Sequence, residues 1–206
     1  MRFVVKYLAA MVLVAAFLLP LQTIKAGNED RSGQAGADEL LINPWARSSG
    51  WATANTGGVR GLEAQYLNVA GMAFTNKTEI GFAHTNYLAG TGININTVGL
   101  SQRLSENGGV LGIGIMSMSF GEIDRTTVNL PEGGAGTYSP NYLNVNISYS
   151  KAFSNSIFGG INIKIISEQI ANISAQGIAI DAGVQYVTGR TDNIKFGVAL
   201  KNVGPE

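Results

Sequence analysis

The stretch from Tyr142 to Lys201 constrains the fold most strongly, because apolar and polar residues alternate along about four successive segments of it. A period of two is that of a β-strand, in which successive side chains point to opposite faces of the sheet. In the first segment the apolar face is Leu143, Val145, Ile147 and Tyr149. Short polar breaks between the segments predict hairpin turns at residues 153–156, 172–175 and 189–193.

Two kinds of sheet fit this alternation. A soluble antiparallel sheet packs one face and exposes the other to water, whereas a membrane barrel is apolar outside and polar inside. The segments approach the about 9–11 residues that a tilted membrane strand needs and exceed the about 5–6 residues of an average soluble strand. We therefore predict an all-β fold, an antiparallel transmembrane β-barrel, and keep the soluble secreted sheet as the alternative.

The N-terminus has the layout of a secretory signal peptide. Arg2 and Lys6 supply a positive start, the run from Tyr7 to Leu21 is almost unbroken apolar sequence, and the small Ala26 is a plausible cleavage point. The alternative is an uncleaved membrane anchor. Residues 1–26 are thus predicted to direct export, residues 27–38 to form a flexible leader, and the mature chain to reach the cell outer membrane.

Composition excludes several functional classes. The 206 residues carry 14 basic and 14 acidic side chains, so no basic excess indicates a nucleic-acid partner. With no cysteine, neither a disulfide framework nor a thiolate metal site can form. The single histidine, His84, has no acidic residue or second histidine at ligand spacing. No nucleotide loop, nucleophile elbow or zinc motif occurs, so we predict no catalytic residue, metal or cofactor, and no enzyme.

Residues 39–76 do not alternate. Pro44 and the Gly57–Gly58 pair punctuate them, which predicts loops with short helical turns, one of them between Val59 and Leu67. Such a segment is either an ordinary subdomain packed on a sheet or a plug folded into the mouth of a barrel.

Residues 77–206 are predicted to form about seven antiparallel strands. Three strands, at 78–85, 94–104 and 110–120, precede the organising stretch, and the Asn-Gly pair within 105–109 signals a hairpin. Residues 124–141 form a long polar loop, which barrels place outside the cell. Its candidate partner-contact residues are Pro131, Glu132, Gly133 and Tyr138. The alternative is a spacer loop that binds nothing.

Charged residues decide which face of the barrel is inside. A lysine at the bilayer midplane costs about 2–4 kcal/mol on the lipid side, so the face with Lys164 and Lys195 must line the lumen. The predicted lumen-facing residues are Asn144, Asn146, Asn162, Lys164, Asp181, Gln185 and Lys195. The candidates for aromatic girdles are Tyr149, Tyr186 and Phe196.

Two motifs in the N-terminal half resemble a known family. One is Ala46-Arg47-Ser48-Ser49-Gly50-Trp51, and the other is Tyr66-Leu67-Asn68-Val69-Ala70-Gly71-Met72. In this order and spacing they resemble the PorV/PorQ family of FadL-like outer-membrane barrels, found in Bacteroidota and associated with the type IX secretion system. The chain departs from the family pattern where Val69 replaces proline and Trp51 replaces methionine.

The resemblance covers most of the mature chain and implies that the N-terminal segment is a hatch inside the barrel. The hatch and turn residues that it implies are Ala46, Arg47, Gly50, Gly57, Gly58, Asn68, Ala70 and Gly71. Gly71 suits a tight backbone turn and Asn68 can bond local backbone groups, so neither residue needs to contact a ligand. Because bacterial single-chain barrels have an even strand number of at least about 8, we expect the chain to be an N-terminal fragment of a longer barrel.

Three functions remain open at this point. By resemblance, the protein is a non-enzymatic scaffold in type IX secretion or surface attachment, contacting outer-membrane lipid, secretion components or secreted proteins with C-terminal signals. Alternatively it is a FadL-type transporter of hydrophobic small molecules, although the polar lumen predicted above opposes this. The third hypothesis is a soluble secreted β-sheet protein.

Overall fold

The structure is a computed structural model that describes residues 37–105 and 108–204. The predicted signal peptide, the leader up to residue 36 and the asparagine of the Asn-Gly pair, residue 107, lie outside the described residues.

One antiparallel sheet dominates the described chain. Its seven strands are β1 Thr78–Tyr87, β2 Ile93–Arg103, β3 Val110–Ser119, β6 Asn141–Ala152, β7 Ile157–Ile170, β8 Ile173–Thr188 and β9 Ile194–Val203. They follow one another across the sheet in chain order, and each neighbouring pair is antiparallel. The prediction of an antiparallel all-β fold is thus confirmed. The described strands form an open sheet, with β1 and β9 at its edges.

The connections between strands alternate between two ends of the sheet. The turns after β2, β6 and β8 lie at one end, here called the short-turn end. The other end, here called the long-loop end, carries the connection from β3 to β6, in which β4 Ile123–Asp124 pairs with β5 Thr137–Tyr138. The predicted turn at 172–175 is wrong: Ala171 takes a φ of 53° to make a tighter turn, and residues 173–175 belong to β8.

Side-chain alternation gives the sheet two unlike faces. Along β3 every second residue is buried and every other residue is exposed. The covered face, defined by Met116, Asn146, Asn162 and Gln185, packs against the N-terminal segment. The open face, defined by Ile113, Ile147, Ile163 and Val198, is 43% to 75% exposed at these residues.

The N-terminal segment, residues 37–77, consists of short helical turns joined by loops, as predicted. It contains 3₁₀ turns at Asp38–Leu41, Gly61–Glu63 and Val69–Phe74, and the helices α1 Ala46–Gly50 and α2 Ala64–Leu67. The predicted helical turn at 59–67 therefore begins two residues later, and Asp38 belongs to the first 3₁₀ turn instead of the leader.

Two apolar clusters fasten this segment to the covered face. The larger joins Leu40, Trp45, Leu62 and Tyr66 of the segment to Ile95, Met116, Met118, Tyr142, Ile166 and Ala179 of the sheet. The smaller joins Val59, Ala64, Leu67, Val69 and Met72 to Val110. Because the first cluster contains residues near the long-loop end and the second contains the start of β3, the segment runs along the strands from the long-loop end to the short-turn end.

Packing within the segment predicts unequal effects of two glycine substitutions. A Cβ on Gly71 would collide with the Val59 carbonyl and the Ala64 methyl, whereas a Cβ on Gly50 meets nothing within 4 Å. We expect Gly71→Ala to lower the free energy of unfolding by about 1–3 kcal/mol and Gly50→Ala to change it by less than about 0.5 kcal/mol. Chemical denaturation of both variants measures this, and equal midpoints would contradict the packing of the segment.

Candidate functional site

The interface between the N-terminal segment and the covered face is the candidate functional site, because buried polar side chains are concentrated there. Six of the predicted lumen-facing residues are at most 4% exposed, namely Asn144, Asn146, Asn162, Lys164, Asp181 and Gln185. Lys195 has the covered-face parity but is exposed on the edge strand β9, although Gly57 and Gly58 of the segment lie beside it. These seven residues share one face of the sheet, and that this face lines a lumen stays a prediction.

Asn68 joins the segment to two strands of the sheet. Its Nδ2 donates to the carbonyl oxygens of Thr56, Val184 and Val198, at 3.0, 3.2 and 3.4 Å. Its Oδ1 accepts the Ala70 N–H at 3.2 Å, which caps the following 3₁₀ turn. The sequence predicts only this local bond; the bonds to β8 and β9 connect residues more than a hundred positions apart.

Further side chains of the covered face bond to the backbone of the segment. Gln185 Nε2 donates to the carbonyl oxygens of Thr56 and Val59, at 3.0 and 3.1 Å. Ser150 Oγ lies 3.0 Å from the Ala70 carbonyl oxygen. These bonds satisfy backbone groups that an irregular segment cannot pair within itself, and an unpaired buried group costs free energy.

One buried ion pair lies on the covered face, across β7 and β8. Lys164 Nζ is 2.8 Å from Asp181 Oδ2, and the two side chains are 2% and 6% exposed. Lys164 Nζ also donates to Asn202 Oδ1 at 2.6 Å, and Asp181 Oδ1 accepts the Asn202 N–H at 2.8 Å. Asn202 has a φ of 58° and follows the register shift between β8 and β9. The pair therefore holds the irregular end of β9 against its neighbours.

Two charged residues that the sequence analysis did not single out bind the backbone of the segment, Arg103 at the end that leads into β1 and Glu79 at the 3₁₀ turn Gly61–Glu63. Arg103 donates from its Nη2 to the Ala73 carbonyl oxygen at 2.6 Å and from its Nε to that of Thr75 at 2.9 Å. The Glu79 carboxylate accepts the Leu62 N–H at 2.8 Å. In sequence, both look like ordinary polar residues near a strand end, so no local signal identifies them.

The motif residues implied by the resemblance separate into two groups. Asn68, Ala70 and Gly71 are buried together under the covered face. In contrast, Ala46, Arg47 and Gly50 are exposed on α1, where Arg47 pairs with Glu63 at 3.1 Å.

The Gly57–Gly58 pair lies where the segment reaches the edge strand β9. A Cβ on Gly57 would come within 3.0 Å of the Gly197 backbone nitrogen, so glycine permits this close approach. Gly58 lies beside the Asn55 side chain.

The candidate partner-contact residues lie away from the covered face, on the connection from β3 to β6. Pro131 and Glu132 are exposed, Gly133 and Tyr138 are half-buried. The Arg125 guanidinium lies 6.0 Å from the Tyr138 ring centroid, and the Arg125 N–H bonds to Gly136 at 2.8 Å. The structure thus brings them together in one loop with a small ladder of its own.

The site combines hydrogen bonds from neutral side chains with those of the charged Arg103 and Glu79 and with one compensated ion pair. Tyr66 lies on α2. Burial raises the pKa of its hydroxyl, so the hydroxyl stays neutral at physiological pH. In the described part of the chain, no three His, Asp or Glu residues are grouped to bind a metal. Over the same residues, none of the helices has the length and apolar content to cross a membrane.

Comparison with known proteins adds no family assignment: neither a protein-family model nor a curated protein matches this sequence. The arguments below therefore rest on the geometry of the chain and on the sequence motifs.

Because Lys164 and Asp181 form an ion pair, we expect the effects of replacing them on the free energy of unfolding to be non-additive. Lys164→Met should lower the free energy of unfolding by about 3–5 kcal/mol, because it leaves the buried Asp181 carboxylate uncompensated. The double variant Lys164→Met, Asp181→Leu removes both charges and should recover most of that loss. Denaturation midpoints of the two variants measure this, and a double variant less stable than the single one would contradict the pairing.

Proposed function

We propose that this protein is a non-enzymatic outer-membrane β-barrel protein whose seven-stranded sheet forms part of the barrel wall. We further propose that it acts as a scaffold in type IX protein secretion or in the attachment of secreted proteins to the cell surface. The open face of the sheet is the observation that carries the membrane placement.

The open face is apolar over most of its area. Ile80, Val98, Ile113, Ile163 and Val198, from five different strands, are 78%, 51%, 51%, 43% and 75% exposed. Soluble monomers rarely expose contiguous apolar patches of more than a few hundred Å², whereas the outside of a membrane barrel must be apolar. The seven strands have 10 to 16 residues, enough for the about 9–11 that a tilted membrane strand needs.

Aromatic residues border the apolar area near the short-turn end. Tyr186 and Phe196 are paired across β8 and β9 and are both exposed on the open face. Tyr149 lies on the same face of β6, and Lys151 follows it toward the turn. Aromatic girdles mark the membrane–water boundary of barrels, and a lysine there can extend to the headgroups. This arrangement supports the placement of the short-turn end at one membrane boundary.

The covered face supports a scaffold better than a transporter. In the proposed barrel it lines the lumen, and the N-terminal segment acts as a hatch. The segment is held by bonds from Asn68, Gln185, Ser150 and Arg103, and apolar residues of the covered face such as Met116 and Tyr142 are packed against side chains of the segment itself. A carrier of hydrophobic small molecules needs an apolar binding site along its path, and these residues do not supply one.

The proposed type IX role rests on the sequence motifs that resemble the PorV/PorQ family. The proposed export rests on the predicted signal peptide. In this proposal the long connection from β3 to β6 faces outward, because barrels place their longer loops outside the cell. Pro131 and Glu132, exposed on that loop, would then be available to secretion components or to secreted proteins.

Fluorescence quenching tests the membrane placement. The chain has no cysteine, so a single fluorophore can be attached at Ile147→Cys, Ile163→Cys or Val198→Cys. With the protein in lipid vesicles, quenchers on the acyl chains should reduce the emission of all three, and iodide in the water should not. Glu132→Cys, in the exposed loop, is the matched control and should respond to iodide only. Iodide quenching at all three wall positions would exclude the barrel wall.

Co-purification tests the functional role. The full-length protein, extracted from outer membranes, should retain secretion components or secreted proteins with C-terminal signals. Replacing residues 131–133 with three serines should reduce this recovery by tenfold or more, on the order of a lost 1.4 kcal/mol of binding, while leaving membrane insertion unchanged. Recovery of no such protein with the unaltered chain would contradict the scaffold role even where the quenching result holds.

A further inference from the structure

The open face of the sheet carries a groove near the short-turn end, across β6 to β9. Its volume is about 430 Å³, and the residues that line it include Tyr149, Lys151, Phe153, Val184 and Leu200. Small-molecule sites in proteins commonly have volumes of about 300–1,000 Å³. The groove falls within this range, and its lining is apolar apart from the lysine amine.

Two small residues form the floor of the groove. Gly159 of β7 lies directly opposite Lys151, and Ala182 of β8 is the next small open-face residue toward the long-loop end. The ring of Phe153, from the turn between β6 and β7, lies over Gly159, where a Cβ would be 2.7 Å from a ring carbon. Larger apolar side chains surround this floor, so the surface of the open face is recessed there.

Lys151 is the one lysine on the open face of the sheet. The other open-face positions of the seven described strands hold no arginine, aspartate or glutamate. The two ion pairs found among the described residues, Arg47–Glu63 and Lys164–Asp181, do not include it. A half-buried positive charge without a carboxylate partner therefore lies at the side of an apolar groove.

The two ends of the groove differ in their distance from the short-turn end. Lys151 follows Tyr149 at the end of the apolar run on β6, one residue before the strand ends at Ala152. In the proposed barrel this is the level at which a lysine amine extends to the headgroups. The groove continues from Lys151 to Leu200, which is level with Tyr149 and therefore nearer the middle of the membrane.

A single molecule that fits both ends combines an anionic group with an apolar chain. Lysine binds phosphate through charge-assisted hydrogen bonds, and acyl methylene groups gain free energy when an apolar surface buries them. A soluble anion would leave the groove empty, and an uncharged lipid would leave the lysine without a partner. The lining contains no carboxylate to pair with the ammonium group of a zwitterionic lipid.

We infer that this groove binds a phospholipid with a net anionic headgroup, with the phosphate at Lys151 and one acyl chain over Gly159 and Ala182. The inference rests on the membrane placement proposed above. Because barrels have their short turns on the periplasmic side, the bound lipid belongs to the periplasmic leaflet of the outer membrane.

Native mass spectrometry of the full-length protein tests this inference. The protein is extracted into detergent micelles and mixed with phosphatidylglycerol or with phosphatidylethanolamine that has identical acyl chains. One phosphatidylglycerol should be retained per chain, and phosphatidylethanolamine should be retained about fivefold less, the effect of one lysine near an anionic lipid. Glycerol phosphate, which has the anionic group but no acyl chain, should not displace the bound lipid.

Two variants separate the contribution of the charge from that of the groove. Lys151→Gln should lower the retention of phosphatidylglycerol about fivefold, whereas Lys195→Gln, exposed on the other face of the sheet, is the matched control and should not change it. Ala182→Leu fills the floor and should lower the retention of both lipids. Val98→Leu, on the open face of β2 and outside the groove, is its control.

Three outcomes would overturn the anionic-lipid site. The first is equal retention of the two lipids by the unaltered chain, the second is unchanged retention in Lys151→Gln, and the third is unchanged retention in Ala182→Leu. These outcomes are separable from a failure of the barrel proposal, because acyl-chain quenching at Ile147→Cys and Ile163→Cys reports the membrane placement independently of lipid selectivity.

Discussion

The structure depends on hydrogen bonds between side chains of the sheet and the backbone of a segment that has little regular structure. A helix or strand pairs its own backbone groups, whereas residues 37–77 bury carbonyl oxygens that have no such partner. The Thr56 oxygen accepts a bond from Gln185 of the sheet as well as one from Asn68 of the segment itself, and the oxygens of Ala73 and Thr75 accept bonds from Arg103. Polar residues on the covered face are therefore a requirement for packing this segment, instead of a defect in an apolar core.

This arrangement reverses the usual amphipathic sheet. In a soluble sheet protein the hydrophobic effect buries the apolar face and leaves the polar face in water. Here the segment covers the face with Asn162, Lys164 and Asp181, and the isoleucine-rich face is left open. The membrane placement that we propose would account for this reversal, because hydrocarbon on the open side removes the cost of exposed apolar surface and makes exposed charge expensive. The ion pair on the covered face then has both of its charges compensated within the protein.

The sequence allowed most of the sheet to be predicted, but only part of the site. Alternation located the seven long strands, because a shift of the pattern by one residue would place every apolar side chain of a strand on the opposite face. The predicted turn at 172–175 begins one residue late, because the asparagine signal stands at residue 172 while the positive φ falls on Ala171, a residue type that carries no turn signal. Lys195 shares the predicted parity, yet it is exposed on β9, and no local pattern shows that β9 lies at the edge of the described sheet.

The sequence by itself determined that apolar and polar side chains lie on opposite faces of long antiparallel strands, because a strand alternates its side chains regardless of its neighbours. Only the tertiary structure decided which backbone groups those polar side chains bind. Asn68 meets Val184 and Val198, and Arg103 meets Ala73, through the way the segment crosses the sheet. Hydrogen bonds between residues distant along the chain depend on the distances set by packing, and a linear pattern does not specify those distances.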